Sequence, residues 1–387
     1  MRVGRSASLL PYALGNIGGV VAYFPLLTLL LPLKVAGIAG EARIGVLAAA
    51  AVAGSIAAGG SNILFGWLGD RSVVRGKGRR GWLAGGAIAT AASLGGVALA
   101  TSAALVIAAV VLFQVAVNAM LAQVAALIAD EVPDERKGFA AGLLALGPPA
   151  GAGVSALLVV GVAGEAARLA AVAAIVAACV LPMAVARAAP LAVATPVRAG
   201  RRGRRDLAIA WGARLLMQVA GCGIQLYLLY YFQALAGGDA AAGVATLLVI
   251  ATLLPGLLAP IAGRWSDRTG RRTAILAAAA LLGVVGLLTM AVARAWPVGA
   301  AGFVLFSVGY GIFVALNLGL AMQLLPNPAR RGRDLGLMNL ANTLPSTIGP
   351  VLAWALAEAG HFGGALLALA LLTGAAGGMS LLVREER

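Results

Sequence analysis

The sequence has few charged residues, few acids and almost no residues suited to metal or redox chemistry. Asp and Glu number only 14 of 387 residues, there is one histidine, and charged residues make up 11%. Both cysteines, Cys179 and Cys222, lie in apolar runs, so we expect neither a disulfide framework nor a metal site. Nucleophile motifs, ligand clusters and phosphate loops are also missing, which predicts no cofactor and no enzyme.

Hydrophobic residues are abundant instead, at 61% of the sequence, compared with about 45 to 50% in globular proteins. A bilayer core about 30 Å thick needs roughly 20 apolar residues per spanning helix. Stretches of this kind predict an all-α membrane protein with twelve transmembrane helices, the first of them an uncleaved helix. The predicted spans are 12–33, 44–68, 82–100, 103–129, 139–162, 169–185, 207–235, 240–265, 274–292, 298–325, 335–356 and 365–383.

The 29 Lys and Arg residues are distributed unevenly between the predicted loops. With the N-terminus inside, all but five fall in cytoplasmic segments; the exceptions are Lys34, Arg43, Arg168, Arg214 and Arg294. This asymmetry follows the positive-inside rule and predicts an inner (plasma) membrane protein with both termini in the cytoplasm. The net charge of +15 therefore requires no nucleic-acid partner.

Two motifs occur once in each half of the sequence. "GWLGDR" and "GRWSDRTGRR" contain Asp70 and Asp267, and "VPDERKG" and "PNPARRG" align Gly138 with Gly332. A duplication of this kind predicts two six-helix bundles, since transporters are often built from repeats. The predicted parts are an N-terminal bundle, 1–185, a cytoplasmic linker rich in Pro, Gly and Arg, 186–206, and a C-terminal bundle, 207–387.

These paired loops in a twelve-helix chain resemble the major facilitator superfamily over essentially the whole length. The charged loop from Asp70 to Trp82, together with "GRDLGLMNLANTLPSTIGPVLA" at 332–353, is similar more narrowly to the glycoside-pentoside-cation symporters and sucrose carriers. The resemblance implies the major facilitator fold, two pseudo-symmetric bundles, and alternating access of a solute.

Asp70 is predicted at the cytoplasmic end of its helix, where the macrodipole disfavours an acid unless an arginine or another helix N-terminus pairs with it. The resemblance implies that the loop charges form a conformational gate that holds the cytoplasmic side shut. Alternatively, the charges only set topology and bind anionic lipid. The predicted gate residues are Asp70, Arg71, Arg75, Arg79, Arg80, Asp267, Arg268, Arg271 and Arg272.

Polar side chains inside the spans are the candidates for binding a substrate, because burying them in a membrane is unfavourable. Interhelical hydrogen bonding is the alternative for each of them. Arg214 either extends to the cytoplasmic surface or faces a cavity, where it would attract an anionic or polyhydroxylated solute. The candidates are Asn16, Tyr23, Gln114, Asn118, Arg214, Gln218, Gln225, Tyr310, Asn317, Asn339 and Asn342.

No carboxylate is predicted in the middle of the membrane, since all 14 acids lie in loops, tails or near helix ends. Gly19 and Val20 stand where the melibiose-carrier pattern has a lysine and a sugar-binding acid, so sodium coupling and galactoside specificity are not expected. Proton coupling is what the resemblance implies. Facilitated diffusion, exchange, or coupling through Asp130 or Glu131 remain open.

The predicted function is secondary active or facilitative transport of a small, sugar-like organic solute or related metabolite by a monomer in the lipid bilayer. A coupling proton is the expected second partner. Efflux of an amphipathic compound is one alternative. A non-transporting membrane chaperone or assembly factor with the same fold is another.

Overall fold

A computed structural model describes residues 8–186, 201–236, 241–325, 327, 330–357 and 362–384. Every regular element in these ranges is helical, which confirms the predicted all-α fold class. The helices are α1 (Leu10–Pro25), α2 (Leu31–Ala39), α3 (Arg43–Val74), α4 (Arg80–Leu99), α5 (Ala103–Glu131), α6 (Lys137–Leu144), α7 (Gly147–Gly161), α8 (Glu165–Val185), α9 (Arg201–Ala236), α10 (Ala241–Thr269), α11 (Arg272–Val292), α12 (Trp296–Leu324), α13 (Arg331–Ala357) and α14 (Phe362–Leu381).

Each predicted span coincides with one helix or with two consecutive helices. The first corresponds to α1 and α2, joined by a π-helical stretch, Leu26–Leu30, and the fifth corresponds to α6 and α7. Proline explains the second break, because Pro148 lies in the first turn of α7, where its missing amide hydrogen does no harm. Eleven helical spans among the described residues are long and apolar enough to cross a membrane, counting α1 with α2 and α6 with α7 as one span each, so the chain is a multi-pass membrane protein.

The first compact unit consists of residues 8–134, 146–186 and the start of α13, up to Asn339. Its helices pack around α5, which contacts α1, α3 and α4, and around α8, which contacts α1 and α4. Val21, Leu83, Phe113 and Val172 fill its core and are fully buried.

The second compact unit consists of 135–145, the described residues of 201–325, and α13 and α14 from Leu340 onward. Here α11 packs on α12 and α14, while α10 packs on α6 and α12. Each unit therefore contains a short segment from the other half of the sequence. Most of the predicted linker, 187–200, lies outside the described residues, and the division into sequence halves stays a prediction.

Small residues allow the helices of the second unit to pack with their backbones in contact. A Cβ atom on Gly286 of α11 would lie 2.5 Å from the carbonyl oxygen of Gly302 in α12, and a Cβ on Gly302 would lie 2.7 Å from that of Gly286. Close approach of this kind is how membrane helices gain packing energy where lipid removes the hydrophobic driving force.

We expect Gly286→Ala to destabilise the protein by about 1 to 3 kcal/mol, because the added methyl group forces α11 and α12 apart. The matched control is Gly95→Ala on α4, where a Cβ would meet nothing within 4 Å. There the substitution should leave the melting temperature unchanged or raise it, since Ala is the better helix former. Thermal unfolding of the purified variants in one detergent measures both effects, and equal melting temperatures would contradict this packing.

Candidate functional site

Asp70 lies near the C-terminal end of α3 and is only 4% exposed. Its carboxylate accepts hydrogen bonds from the backbone amides of Gly332 at 2.8 Å and Arg333 at 2.9 Å, the second and third residues of α13. First-turn amides have no acceptor within their own helix and carry its positive partial charge. The acid is thus bound by the positive end of a second helix.

Arg79 connects Asp70 to a second buried acid. Its Nη2 donates to Asp70 at 2.6 Å and its Nε donates to Asp130 at 2.8 Å. Asp130, in the last turn of α5, also accepts from Arg331 Nη1 at 3.1 Å. Two carboxylates and two guanidiniums alternate in this chain of ion pairs, so its formal charges balance inside the protein.

Arg80 forms a separate cluster with Glu131. Its two terminal nitrogens donate to the two Glu131 oxygens at 2.6 and 2.9 Å, and the Tyr12 hydroxyl donates to the same carboxylate at 2.6 Å. Paired hydrogen bonds between a guanidinium and a carboxylate are among the strongest in proteins. This cluster joins α1, α4 and α5.

The remaining loop arginines are on the surface. The Arg71 guanidinium stacks on Trp67, 4.3 Å from its ring centroid, and Arg75 is exposed. Both side chains line an open cavity of about 300 Å³ together with Arg330 and Arg333. These positions suit an anionic lipid surface, whereas Arg79 and Arg80 are internal partners of acids.

Asp267 of α10 repeats the arrangement around Asp70. It accepts hydrogen bonds from the amides of Gly138 at 3.0 Å and Phe139 at 2.7 Å, the second and third residues of α6. Arg272 Nη2 donates to it at 3.1 Å. Arg268 and Arg271, which we grouped with it from the sequence, are exposed.

Glycines allow both contacts between an aspartate and a helix N-terminus. A Cβ on Gly66, one turn before Asp70, would overlap the carbonyl oxygen of Gly332. A Cβ on Gly263, one turn before Asp267, would overlap the carbonyl oxygen of Gly138. The backbones therefore touch in each unit, which brings the first-turn amides within reach of the carboxylate.

A polar cluster in the second unit surrounds Arg214 of α9, which is 5% exposed. Arg214 Nε donates to Asn342 Oδ1 at 2.8 Å, and its Nη1 donates to the Val314 carbonyl at 2.6 Å. Gln218 Nε2 also donates to Asn342 Oδ1 at 2.8 Å, and the Tyr310 hydroxyl donates to Gln218 Oε1. The guanidinium binds residues inside α12 and α13, which contradicts the interpretation that it extends to the surface.

The predicted site residues of the first unit are less concentrated. Asn118 of α5 accepts an interhelical hydrogen bond from Asn62 of α3 at 3.2 Å, and it donates within its own helix to the Gln114 carbonyl at 2.9 Å. Asn16 lies beside Gly147, and Tyr23 is half-buried. The Asn118 and Gln114 side chains also contact each other, at 3.4 Å from Asn118 Nδ2 to Gln114 Oε1.

Three predicted residues of the C-terminal sequence half lie outside the Arg214 cluster. Asn317 is fully buried and donates to the Ala210 carbonyl at 3.1 Å, which fixes α12 to α9. Gln225 is exposed on α9, and Asn339 is half-buried in the part of α13 that belongs to the first unit. Among the described residues, no group of three His, Cys, Asp or Glu could hold a metal ion.

The sequence did not reveal several partners in these clusters. Tyr12 and Arg331 were not predicted to bind Glu131 and Asp130, although Arg331 occurs in the repeated loop motif and was a usable signal. The amides of Gly332 and Gly138 could not have been found from residue type, because every residue except proline has one.

We expect Arg79→Gln to lower stability by about 3 to 5 kcal/mol, because it leaves Asp70 and Asp130 buried without their shared cation. Arg75→Gln is the matched control, since it removes an exposed guanidinium from the same loop and should change stability little. Melting temperatures of the two purified variants test this expectation. An Arg79→Gln protein as stable as the wild type would show that the ion-pair chain contributes nothing.

Residues 226–387 match the family model described as Major Facilitator Superfamily. No curated protein sequence matches the chain.

Three solved structures illustrate the similarity in fold. The transporter FucP of E. coli in the outward conformation has a TM-score of 0.75 at 16% identity, covering 97% of this chain and 99% of its own. The proton:xylose symporter XylE has a TM-score of 0.70 at 13% identity, covering 97% and 94%. The human organic anion transporter MFSD10 has a TM-score of 0.69 at 17% identity, covering 97% of each chain. The chain therefore has the major facilitator fold, and its C-terminal part matches the sequence of that superfamily.

Proposed function

We propose that this chain is a secondary transporter that moves a small organic solute across the inner membrane by alternating access. The observation that carries this proposal is the repeated contact between an aspartate and a helix N-terminus, at Asp70 and again at Asp267. Each contact joins a segment of one sequence half to a segment of the other. Hydrogen bonds of this kind can hold two halves together and can be released together.

The two aspartates are the gate in this proposal. Asp70 is bound by both α13 amides and Arg79, and Asp267 by both α6 amides and Arg272. Breaking either contact returns the carboxylate to the negative end of its own helix, where it is least favoured. The closed state of the cytoplasmic side is thereby stabilised, and rocking of the halves requires both sets of bonds to break.

A sugar-like solute agrees with the polar residues of the second unit. Gln218, Tyr310 and Asn342 carry amide and phenol groups, which hydrogen-bond to hydroxyls. FucP is a fucose:proton symporter and XylE is a proton:xylose symporter. The narrower similarity to glycoside-pentoside-cation symporters, the monomeric state, the orientation of the termini and proton coupling are parts of the same proposal.

Asp70→Asn is expected to open the cytoplasmic side, and a buried thiol can report this without knowledge of the solute. Leu335 of α13 is 5% exposed and lies one turn beyond the amides that bind Asp70. In a Leu335→Cys protein lacking Cys179 and Cys222, Asp70→Asn should raise the rate of labelling by an impermeant maleimide about tenfold, because charge-assisted hydrogen bonds are lost.

Glu135→Gln is the control for this labelling experiment, since it neutralises an exposed cytoplasmic acid. It should leave the labelling rate of Leu335→Cys unchanged in inside-out vesicles. Equal rates for Asp70→Asn and its parent would refute the gate.

Transport itself is tested in proteoliposomes with labelled L-fucose, D-xylose, D-glucose and D-gluconate under a proton gradient. We expect uptake of at least one of these above protein-free liposomes, with turnover reduced in Asp70→Asn at equal reconstitution. Full turnover in Asp70→Asn would contradict the proposed gate. If the protein passes the labelling test but takes up none of these solutes, the result would favour a non-transporting assembly factor.

A further inference from the structure

We propose that Arg214 is the recognition site for the carboxylate of a hydroxylated monocarboxylic acid, and that such an acid is the solute. This inference rests on the proposed transport function and specifies its substrate. It is carried by a buried guanidinium whose partners are all neutral among the residues that the structure describes.

The partners of Arg214 differ from those of three other buried cations. Lys34, Arg79 and Arg331 each form an ion pair with a carboxylate. Within the described part of the chain, Arg214 forms none, and its hydrogen bonds go to the Asn342 amide and the Val314 carbonyl. A cation in the interior of a membrane protein is strongly disfavoured without a counter-ion, and such residues commonly mark a substrate pathway.

The guanidinium still has donor capacity for a ligand. Nε and Nη1 are used, while Nη2 has no hydrogen-bond partner among the residues that the structure describes. A planar guanidinium is suited to the two oxygens of a carboxylate, and its fixed donors hold an anion in one orientation. Asn342 holds the group in place, and Gln218 supports Asn342 from the same face of α9.

Charge balance favours one negative charge on the solute. Arg214 is the one Lys or Arg well inside a predicted span, and no carboxylate is predicted in the middle of the membrane. A carboxylate carries a single charge, whereas a phosphate monoester carries about 1.5 to 2 at neutral pH and would need a second cation. The single guanidinium therefore matches a monocarboxylate.

The neighbours of Arg214 add hydroxyl recognition to charge recognition. Tyr310 packs over Gly221, where a Cβ would overlap its ring, and this places the phenol beside Gln218. Amide and phenol groups next to a guanidinium provide both donors and acceptors for hydroxyls on the carbon chain of an acid. A sugar acid has both features, whereas a neutral sugar leaves the charge uncompensated.

The test is ligand-induced thermal stabilisation of the full-length purified protein by matched pairs of solutes. The pairs are D-gluconate with D-sorbitol, D-galactonate with galactitol, and D-glucuronate with D-glucose, and glucose 6-phosphate is added as a dianion. At least one acid should bind the wild type about tenfold or more tightly than its neutral partner, because its hydrogen bonds are charge-assisted. Glucose 6-phosphate should bind more weakly than that acid.

Arg214→Gln should abolish the preference for the acid, whereas Arg204→Gln, an exposed arginine on the same helix, should keep it. Where Arg214→Gln does not fold, Arg214→Lys replaces it, because it keeps the charge without the planar donors and should weaken acid binding alone. Equal stabilisation by acids and neutral partners, an acid preference that survives these Arg214 variants, tighter binding of the phosphate, or no stabilisation by any acid would overturn the inference. Uptake of a neutral sugar by the wild type would then leave the transport proposal intact, whereas absence of uptake for every solute would remove both.

Discussion

Two buried carboxylates bound by the first turns of two other helices are the interaction on which the rest of this structure depends. Asp70 and Asp267 lie at the negative ends of their own helices, so each is stable only while α13 or α6 presents its amides. Gly66 and Gly263 let the backbones approach closely enough for these bonds. Because these hydrogen bonds stabilise one arrangement of the helices, leaving that arrangement requires them to break. Such breakage is a discrete event, as a gate requires.

The buried arginines among the described residues have two kinds of surroundings. Arg79 and Arg331 alternate with acids, so their charges are balanced whether or not a solute is present. Arg214 has only neutral partners within the described residues, and in our proposal the carboxylate of the solute balances its charge. The ion-paired arginines thus have a structural role, whereas the charge of Arg214 is available to a ligand. For this reason we place solute recognition at the polar cluster of α9, α12 and α13.

The helices could be predicted from the sequence because bilayer thickness sets the length of an apolar run. The equivalent positions of Asp70 and Asp267 could be predicted because their motif occurs in both halves of the sequence. Their amide partners could not, since backbone donors leave no mark on residue type. The arginine that binds Asp267 is Arg272, while the neighbouring Arg271 is exposed, because helix phase decides which side chain faces the acid. Depth along α9 gave two interpretations of Arg214, since spacing alone does not fix a side chain's direction.

Hydrogen–deuterium exchange at the start of α13 tests the central claim most directly. Peptides containing Gly332 and Arg333 should exchange slowly in the wild type, although first-turn amides have no acceptor within their own helix. Asp70→Asn should speed their exchange about tenfold, while peptides containing Gly138 and Phe139, bound by Asp267, should retain their protection. Fast exchange of the α13 amides in the wild type, or unchanged protection in Asp70→Asn, would contradict a structure in which this carboxylate binds the helix terminus.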